Sequence, residues 1–588
     1  MRQPVRWPLW LGLFLVGCSG SGNEKRDVEV RVPPDPYSQA CLVDITVAAG
    51  IDFVHYPGPT NDYAMPQIMG SGACLFDFDN DNDLDVLLIG GAQSGNVGSA
   101  AGGSVGSRLY RQGEGGLFED VTSASGLIDE GYGMGAAVGD IDNDGDLDLY
   151  LTRYGEDRLY RNEGSGKFEE IGQASGIANP QWGTAASFVD YDRDGWLDLV
   201  VVNYVDFFPG SQCEDGAGRR DYCGPESLAG TVTKLYRNLG ADREQVSDAP
   251  QFQDVTVAAG LTRRVGKGLG LLCRDFDGDG RIDFFVANDG EENSLWIQHD
   301  NGIFSNEALL RGVALNRFGE AEANMGIVAE DFNNDGWSDL FLTHLRQESN
   351  TLYRGAEYGQ FSDATVASGF SVASLPFTSF GVCAADLDFD GAVDLAIVNG
   401  GVKRGPVTDT ADVDEFYREY AQRNEIYMND GQGQFSSQQA LGGSDFARRV
   451  EVSRALASGD IDNDGDVDLL VSNCAGPARL YRNDFPKRGA WLRVTAADAK
   501  LKRAAIGAQI SVRVGDRWFH RDLNPSSGYL SVNDTRVHFG LGKASSFDAI
   551  QIFWPDGSGE VEEFAGGSID RQVDLVRGTG RIVAGAAQ

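Results

Sequence analysis

One nine-residue pattern recurs seven times along this chain and constrains its fold more than any other feature. D-x-[DN]-x-D-[GN]-x-x-D begins at Asp77, Asp140, Asp190, Asp275, Asp331, Asp386 and Asp460, and a strand-like apolar run follows each copy. Carboxylates this crowded repel one another unless a cation neutralises them. A loop with carboxylates at positions 1, 3, 5 and 9, a backbone carbonyl at 7 and a sharp turn at 6 can wrap one Ca2+ ion. A single copy reads equally well as a solvated acidic turn, but seven copies in one grammar point to metal. The predicted ligands are Asp77, Asp79, Asp81 and Asp85; Asp140, Asp142, Asp144 and Asp148; Asp190, Asp192, Asp194 and Asp198; and Asp275, Asp277, Asp279 and Asp283. Asp331, Asn333, Asp335 and Asp339, then Asp386, Asp388, Asp390 and Asp394, then Asp460, Asp462, Asp464 and Asp468 complete the set. An EF-hand needs Glu at position 12 and flanking helices. Here position 12 is apolar, from Leu88 to Val471, and the flanks alternate like strands. The reading is an EF-like loop set in a β-hairpin, with up to seven structural Ca2+ ions.

Each loop joins two short strands. A third, L-Y-R-N-like strand follows ("RLYRN" 158–162, "KLYRN" 234–238), then an F-x-D-V-T strand ("FEDVT" 118–122, "FQDVT" 252–256). Four-stranded units repeated seven times predict an all-β fold, a seven-bladed β-propeller over 41–487. The last unit lacks its F-x-D-V-T strand, and "CLVDITVAAGI" from Cys41 is the matching segment. The N-terminal segment should therefore complete the last blade, which brings Cys41 towards Cys474 and suggests a disulfide there. Inserts stretch the spacing at 91–107, 203–233 and 400–424, and "ADVDEFYREYAQRN" in the last reads as a short amphipathic helix. From residue 488 to 580 the acidic loops stop and alternating strands continue, which predicts a separate small β-sandwich.

Net charge is −39 over 588 residues, so nucleic acid is a poor partner. Arg2 and Arg6 precede the apolar run "WPLWLGLFLVG", too short to span a bilayer, and "LVGC" ends at Cys18. Residues 1–18 read as a lipoprotein-type signal with Cys18 as the lipidated residue, and 19–40 as a tether. The expected location is exported and membrane-anchored by lipid alone, in the periplasm or at the cell surface. An ordinary secretory signal is the alternative. Cys213 and Cys223 bracket a short glycine-containing loop, and in an exported protein that spacing favours a disulfide. Cys74, Cys273 and Cys383 read as buried thiols.

These motifs resemble FG-GAP/VCBS repeats, and "AIGAQISVRV…GYLSVNDTRVHFGLG…IQIFWPDG" looks like the ASPIC/UnbV domain. Together they resemble the cartilage-acidic-protein family. The resemblance implies a seven-bladed propeller followed by that domain, at an extracellular or surface location. Departures are Leu501-Lys502-Arg503 where the family has S-N-R, Asn82 where the first loop should have Gly, and Asn333 for Asp in the fifth.

Catalytic grammar is sparse. The chain has five histidines and no H-E-x-x-H, P-loop or Rossmann fingerprint. No catalytic residue or organic cofactor is assigned. Two functions remain open. One is a calcium-stabilised surface binding or adhesion module for a glycan or protein. The other is a propeller enzyme acting on carbohydrate, of lyase or dehydratase type, with His55 and Tyr63 added to the insert residues as candidates. Aromatic and arginine side chains are the usual anchors of interfaces. The ligand-binding candidates are therefore Arg219, Arg220 and Tyr222 in one insert and Tyr417, Arg418, Tyr420 and Arg423 in the other.

Overall fold

The second acidic repeat shows how these sequences fold. Tyr132–Gly139 and Asp148–Tyr154 pair antiparallel across the acidic loop, Arg158–Asn162 adds the third strand, and Phe168–Glu170 the fourth. The structure, a computed structural model, describes residues 41–583 apart from 61, 92–105, 178, 211, 241–248, 409, 412 and 439–443. The expected signal, its Cys18 and the tether lie outside the described residues, as does most of the 91–107 insert.

Six further sheets repeat this order. Their leading strands are Ala73–Phe76, Gly183–Val189, Gly268–Arg274, Ile327–Glu330, Ser379–Ala385 and Ser453–Gly459. The seventh sheet takes its fourth strand from the N-terminal segment, with Leu42 opposite Asn483 and Asp44 opposite Tyr481. Each leading strand packs on the next sheet's leading strand, and the seventh packs on the first. The apolar runs after the loops follow from this ring. Leu149 and Leu151 point into a core shared with Cys74 and Leu87 of the first sheet. Tyr150 points the other way, among Phe188, Leu199 and Val201 of the third. Alternate side chains of one strand thus fill two different cores, and a strand buried on both faces reads as continuously apolar.

The C-terminal residues form two sheets. Ala490–Asp498 lies between Val537–Gly542 and the parallel strand Arg571–Val576. Gln509–Val514 lies between Arg517–Asp522 and Phe547–Phe553. Leu492, Val494, Ile510, Val512, Phe539, Ile550 and Ile552 share the core. These residues are not confined to their own sheets. Ser531–Val532 pairs parallel with Ala73–Phe76 as a fifth strand. Gly528 exchanges backbone hydrogen bonds with Ile327 of the fifth sheet. Between them Tyr529 is fully buried, its ring 4.9 Å from Phe380 and its hydroxyl donating to the Met69 carbonyl at 2.9 Å. One loop of the C-terminal region therefore plugs the ring.

Two expectations are corrected. The helix expected in the 400–424 insert is only a 3-10 turn, Glu415–Tyr417, with Asp414 accepting from the Phe416 N–H at 2.9 Å. So short a segment nucleates a helix poorly in water, and Tyr417 and Tyr420 are drawn into packing instead. No disulfide joins Cys41 to Cys474: Cys474 donates its thiol to the Gln67 carbonyl, whereas Cys41 packs in a different core with Phe446 and Tyr481.

Candidate metal centres

The acidic loops fold on themselves before any ion is considered. Asp140 Oδ1 accepts from the Asp144 N–H at 3.2 Å and its Oδ2 from the Gly145 N–H at 2.9 Å. Asp144 in turn accepts from the Asp146 N–H at 2.9 Å. Position 6 is left-handed in every copy, including Asn82 at φ +71°, so asparagine stands in where glycine was expected. Position 4 is left-handed too, at Asn80, Asn143, Arg193, Gly278, Asn334, Phe389 and Asn463. That double turn brings the oxygens of positions 1, 3 and 5 together. Candidate ligand oxygens of Asp77, Asp79 and Asp81 lie within 4.8 Å of one another, as do those of Asp190, Asp192 and Asp194, and of Asp275, Asp277 and Asp279. In the second and sixth loops position 9 joins positions 1 and 3, giving Asp140, Asp142 and Asp148, and Asp386, Asp388 and Asp394.

The residues fit a hard cation. The position-3 oxygens Asp79 Oδ1, Asp142 Oδ1, Asp192 Oδ1 and Asp277 Oδ1 are buried without a hydrogen-bond partner. Stranding a buried carboxylate oxygen is costly. Burial, with neighbouring carboxylates, pushes Asp140 up to about 6, while burial pushes Asp190 up to about 7 against the pull of Arg503. The loops are not equal. Arg237 pairs with Asp192 at 2.5 Å and Asp194 at 3.1 Å. Arg281 pairs with Asp279, and Arg311 with Asp277. In the fifth loop the Asn333 amide donates to Asp335 Oδ2 at 2.6 Å, the position-5 oxygen that Arg237 and Arg281 occupy in the third and fourth loops.

Position 9 has a second role that the motif does not announce. Asp148 is buried, with Oδ2 accepting from the Ile141 N–H at 2.9 Å and Oδ1 from the Asn162 N–H at 2.8 Å. It therefore ties the loop to the third strand. Asp85, Asp198, Asp283, Asp394 and Asp468 do the same. Asp339 makes only the strand half, to the Gly355 N–H at 2.9 Å. The final residue of L-Y-R-N then reaches the preceding sheet: Asn162 donates to the Phe78 carbonyl at 2.8 Å, and Asn238 to the Ile141 carbonyl at 2.8 Å. Gln112, Gln298, Asn429 and Asn483 make equivalent latches. Gly355 makes none, because the Ser338 carbonyl would lie 2.2 Å from a Cβ there.

The 203–233 and 400–424 inserts meet each other. Arg219 pairs with Asp215 at 2.8 Å and with Glu419 at 3.0 Å, and Arg404 pairs with the same Glu419. Tyr420 donates to Asp221 at 2.6 Å, and Tyr63 packs edge-on against Tyr222 at 5.3 Å. Cys213 and Cys223 are disulfide-bonded. Of the ligand-binding candidates, Tyr222, Tyr417 and Tyr420 are buried in this junction. Arg220 lies over Tyr63 at 5.4 Å and Arg423 over Phe377 at 5.6 Å, both exposed, and Arg418 is exposed too. His55 is buried, its Nδ1 accepting from the Ala475 N–H at 3.2 Å, and burial together with Arg454 lowers it to about 3.

The FG-GAP-like repeat family matches residues 77–151, 144–201, 275–342 and 331–397, and the ASPIC and UnbV family matches 498–582. This chain is an FG-GAP repeat protein with a C-terminal ASPIC/UnbV domain. It is 23% identical over 354 residues to cartilage acidic protein 1 of Homo sapiens, covering 58% of this chain and 50% of that protein. It is 25% identical over 328 residues to cartilage acidic protein 1 of Xenopus tropicalis, covering 55% of this chain and 47% of that one. The chain thus spans about half the length of the curated relatives it matches. A solved structure of YCF48 bound to D1 peptide aligns over 77% of this chain and all of its own, with TM-score 0.38 and 9% identity.

With the FG-GAP and ASPIC/UnbV parts named, their junction becomes intelligible. Arginines of the ASPIC/UnbV domain straddle pairs of FG-GAP loops. Arg503 donates to Asn143 Oδ1 at 3.0 Å and to the Gly195 carbonyl at 3.3 Å, bridging loops two and three. Arg517 donates to Asn334 Oδ1 and the Gly391 carbonyl, each at 2.6 Å, bridging loops five and six. Arg536 donates to Asn463 Oδ1 at 2.8 Å in the seventh. Three of the position-4 asparagines, Asn143, Asn334 and Asn463, are therefore docking points as well as turn formers, whereas Asn80 donates to Asp146 of the next loop. Their recurrence in four of the seven motifs was the signal that could have found them.

Proposed function

We propose that this protein is a calcium-stabilised, seven-bladed β-propeller closed by a β-sandwich, working as an exported surface module that binds a glycan or a protein. The observation that carries the calcium reading is the set of buried, unpartnered position-3 oxygens facing other carboxylates in one loop. Asp140, Asp142, Asp144 and Asp148 would hold one ion, and the corresponding residues of the other loops would hold theirs. Bound Ca2+ would supply charge neutralisation and rigidity, with no chemistry at a substrate. The chain's own residues preset the loops: position 1 gathers the turn N–H groups and position 9 anchors the loop to strand three.

Binding is favoured over carbohydrate catalysis because the candidate base does not face an open site. His55 is buried, and the insert tyrosines pack on one another. A general base needs hydrogen-bond reach to the proton it removes. We further propose lipid anchoring through Cys18, on the sequence alone.

Calcium titration by calorimetry on chelator-stripped protein tests the first part. Saturable binding that raises the melting temperature is expected, and no binding at millimolar calcium would remove the metal from the account. Replacing Cys18 with Ser should release the protein from the membrane fraction. Wild-type protein found wholly soluble outside the cell would overturn the anchor.

A further inference from the structure

The outer face of the ASPIC/UnbV sheet is not plain surface. Alternate residues of its strands put Ile510, Val512, Ile550 and Ile552 into the core. The intervening residues, Gln509, Ser511, Gln551 and Phe553, fall on the opposite face, with Trp518 and His520 alongside through the pairings Arg513–Trp518 and Ser511–His520. That face meets the fourth and fifth FG-GAP loops across a cavity of about 680 Å3, whose other wall includes Trp337, Asp279 and Asp335. All three aromatic rings are half-buried. Arg513 lies over the Trp518 ring at 5.5 Å, and Arg281 pairs with Asp279 of the opposite wall.

We propose that this groove binds an oligosaccharide. The inference deepens the binding-module reading and rests on it. Size comes first, because a cavity in the range of roughly 300–1,000 Å3 suits a small-molecule ligand. Chemistry comes next. A sugar ring presents an apolar C–H face and an equatorial belt of hydroxyls. Trp337, Phe553 and the part of Trp518 not covered by Arg513 offer flat apolar faces with little conformational entropy to lose. The Gln509 amide offers donors and an acceptor for neighbouring hydroxyls, and Gln551, which already donates to Glu563 Oε2 at 2.9 Å, offers its carbonyl oxygen and remaining N–H. Trp337 sits at position 7 of its loop, where the other repeats carry Asp83, Asp146, Trp196, Arg281, Ala392 and Asp466, so the scaffold does not require its side chain.

The test uses the full chain in calcium and a panel of trisaccharides: triacetylchitotriose, maltotriose, cellotriose, mannotriose and laminaritriose. At least one should bind by calorimetry and shift tryptophan emission. Trp337→Ala and Trp518→Ala should each weaken it at least tenfold with unchanged melting, and Trp518→Phe should fall between. Gln551→Leu, on the same face, keeps the test decisive if a tryptophan variant unfolds. Undiminished binding to the double tryptophan variant, lost instead when the 203–233 and 400–424 inserts are trimmed, would overturn the groove while leaving a glycan-binding protein. Silence across the panel would overturn the proposal, and capture of a protein or peptide at that face would then leave only the broader binding-module reading.

Discussion

The ring of sheets is closed at its two ends by different physics. At the loop end, arginines of the ASPIC/UnbV domain grip turn carbonyls and asparagines, and Arg493 pairs with Asp460, both nearly buried. At the insert end the cover is aromatic: Tyr63, Tyr222, Phe416, Tyr417 and Tyr420 pack on one another, with the Arg404–Glu419 pair among them. Charged contacts respond to ions and pH; apolar burial does so far less. One end should therefore be conditional on the state of the acidic loops, and the other should not.

Removing the proposed calcium is the strongest way to break this contrast. One site saturated a hundredfold above its Kd adds about 2.7 kcal/mol of stability, and several loops act together. Excess EGTA should lower the melting temperature by more than about 10 °C and increase hydrogen exchange first in the loops and the Arg503, Arg517 and Arg536 contacts. The insert cap should keep its protection longest. An unchanged melt would remove calcium from the stability of the fold. Acidity should act with opposite sign on the two forms. In the stripped protein Asp140 and Asp190 have folded-state values raised to about 6 and about 7. Their contribution is full below the unfolded value near 4 and is lost as pH rises through 6 to 7. Stripped protein should therefore melt higher at pH 5.5 than at pH 8. Calcium-loaded protein should melt lower, because binding needs ionised ligands.

The plug is the next largest effect. Tyr529→Ala removes a buried ring from the centre of the ring of sheets and should cost about 3–5 kcal/mol. Tyr529→Phe loses only the hydrogen bond to Met69, about 1 kcal/mol. Thermal melts of both variants check this, and equal small shifts would mean the loop can leave the ring without consequence.

Much of this was legible because the repeat repeats. Seven copies fixed the loops, the strand order and the borrowing of Leu42–Asp44 by the last sheet. The plug was not legible: "SSGYLSV" carries no pattern that distinguishes a strand within its own domain from one paired with Ala73–Phe76. The insert residues were found as a group, but composition could not tell buried from exposed. Arg219 and Tyr222 are near neighbours, one half-exposed and the other closed over. The dual role of position 9 was hidden for a related reason, since a carboxylate that binds metal and one that holds backbone N–H groups are the same letter.

That ambiguity can be resolved within one loop. Asp148→Ala leaves two buried N–H groups without acceptors and should cost on the order of 2–5 kcal/mol even in EGTA. Asp144→Ala should lower calcium affinity yet be nearly silent once the metal is gone. Melts of both variants with and without EGTA separate the roles. Equal losses in EGTA would mean that position 5 is as structural as position 9.

The smallest effect belongs to the rim of the insert cap. The Arg219 side chain is 53% exposed and bridges Asp215 and Glu419. Exposed ion pairs contribute little to stability, and Arg404 still holds Glu419 when Arg219 is gone. Arg219→Ala should therefore leave the melting temperature within about 1–2 °C, with or without calcium. Arg404→Ala, which also loses its hydrogen bond to the Tyr63 hydroxyl at 2.8 Å, should cost more. If Arg219→Ala instead melts the protein several degrees lower, and more so in EGTA, the insert end is held by charge like the loop end, and the contrast between the two ends disappears.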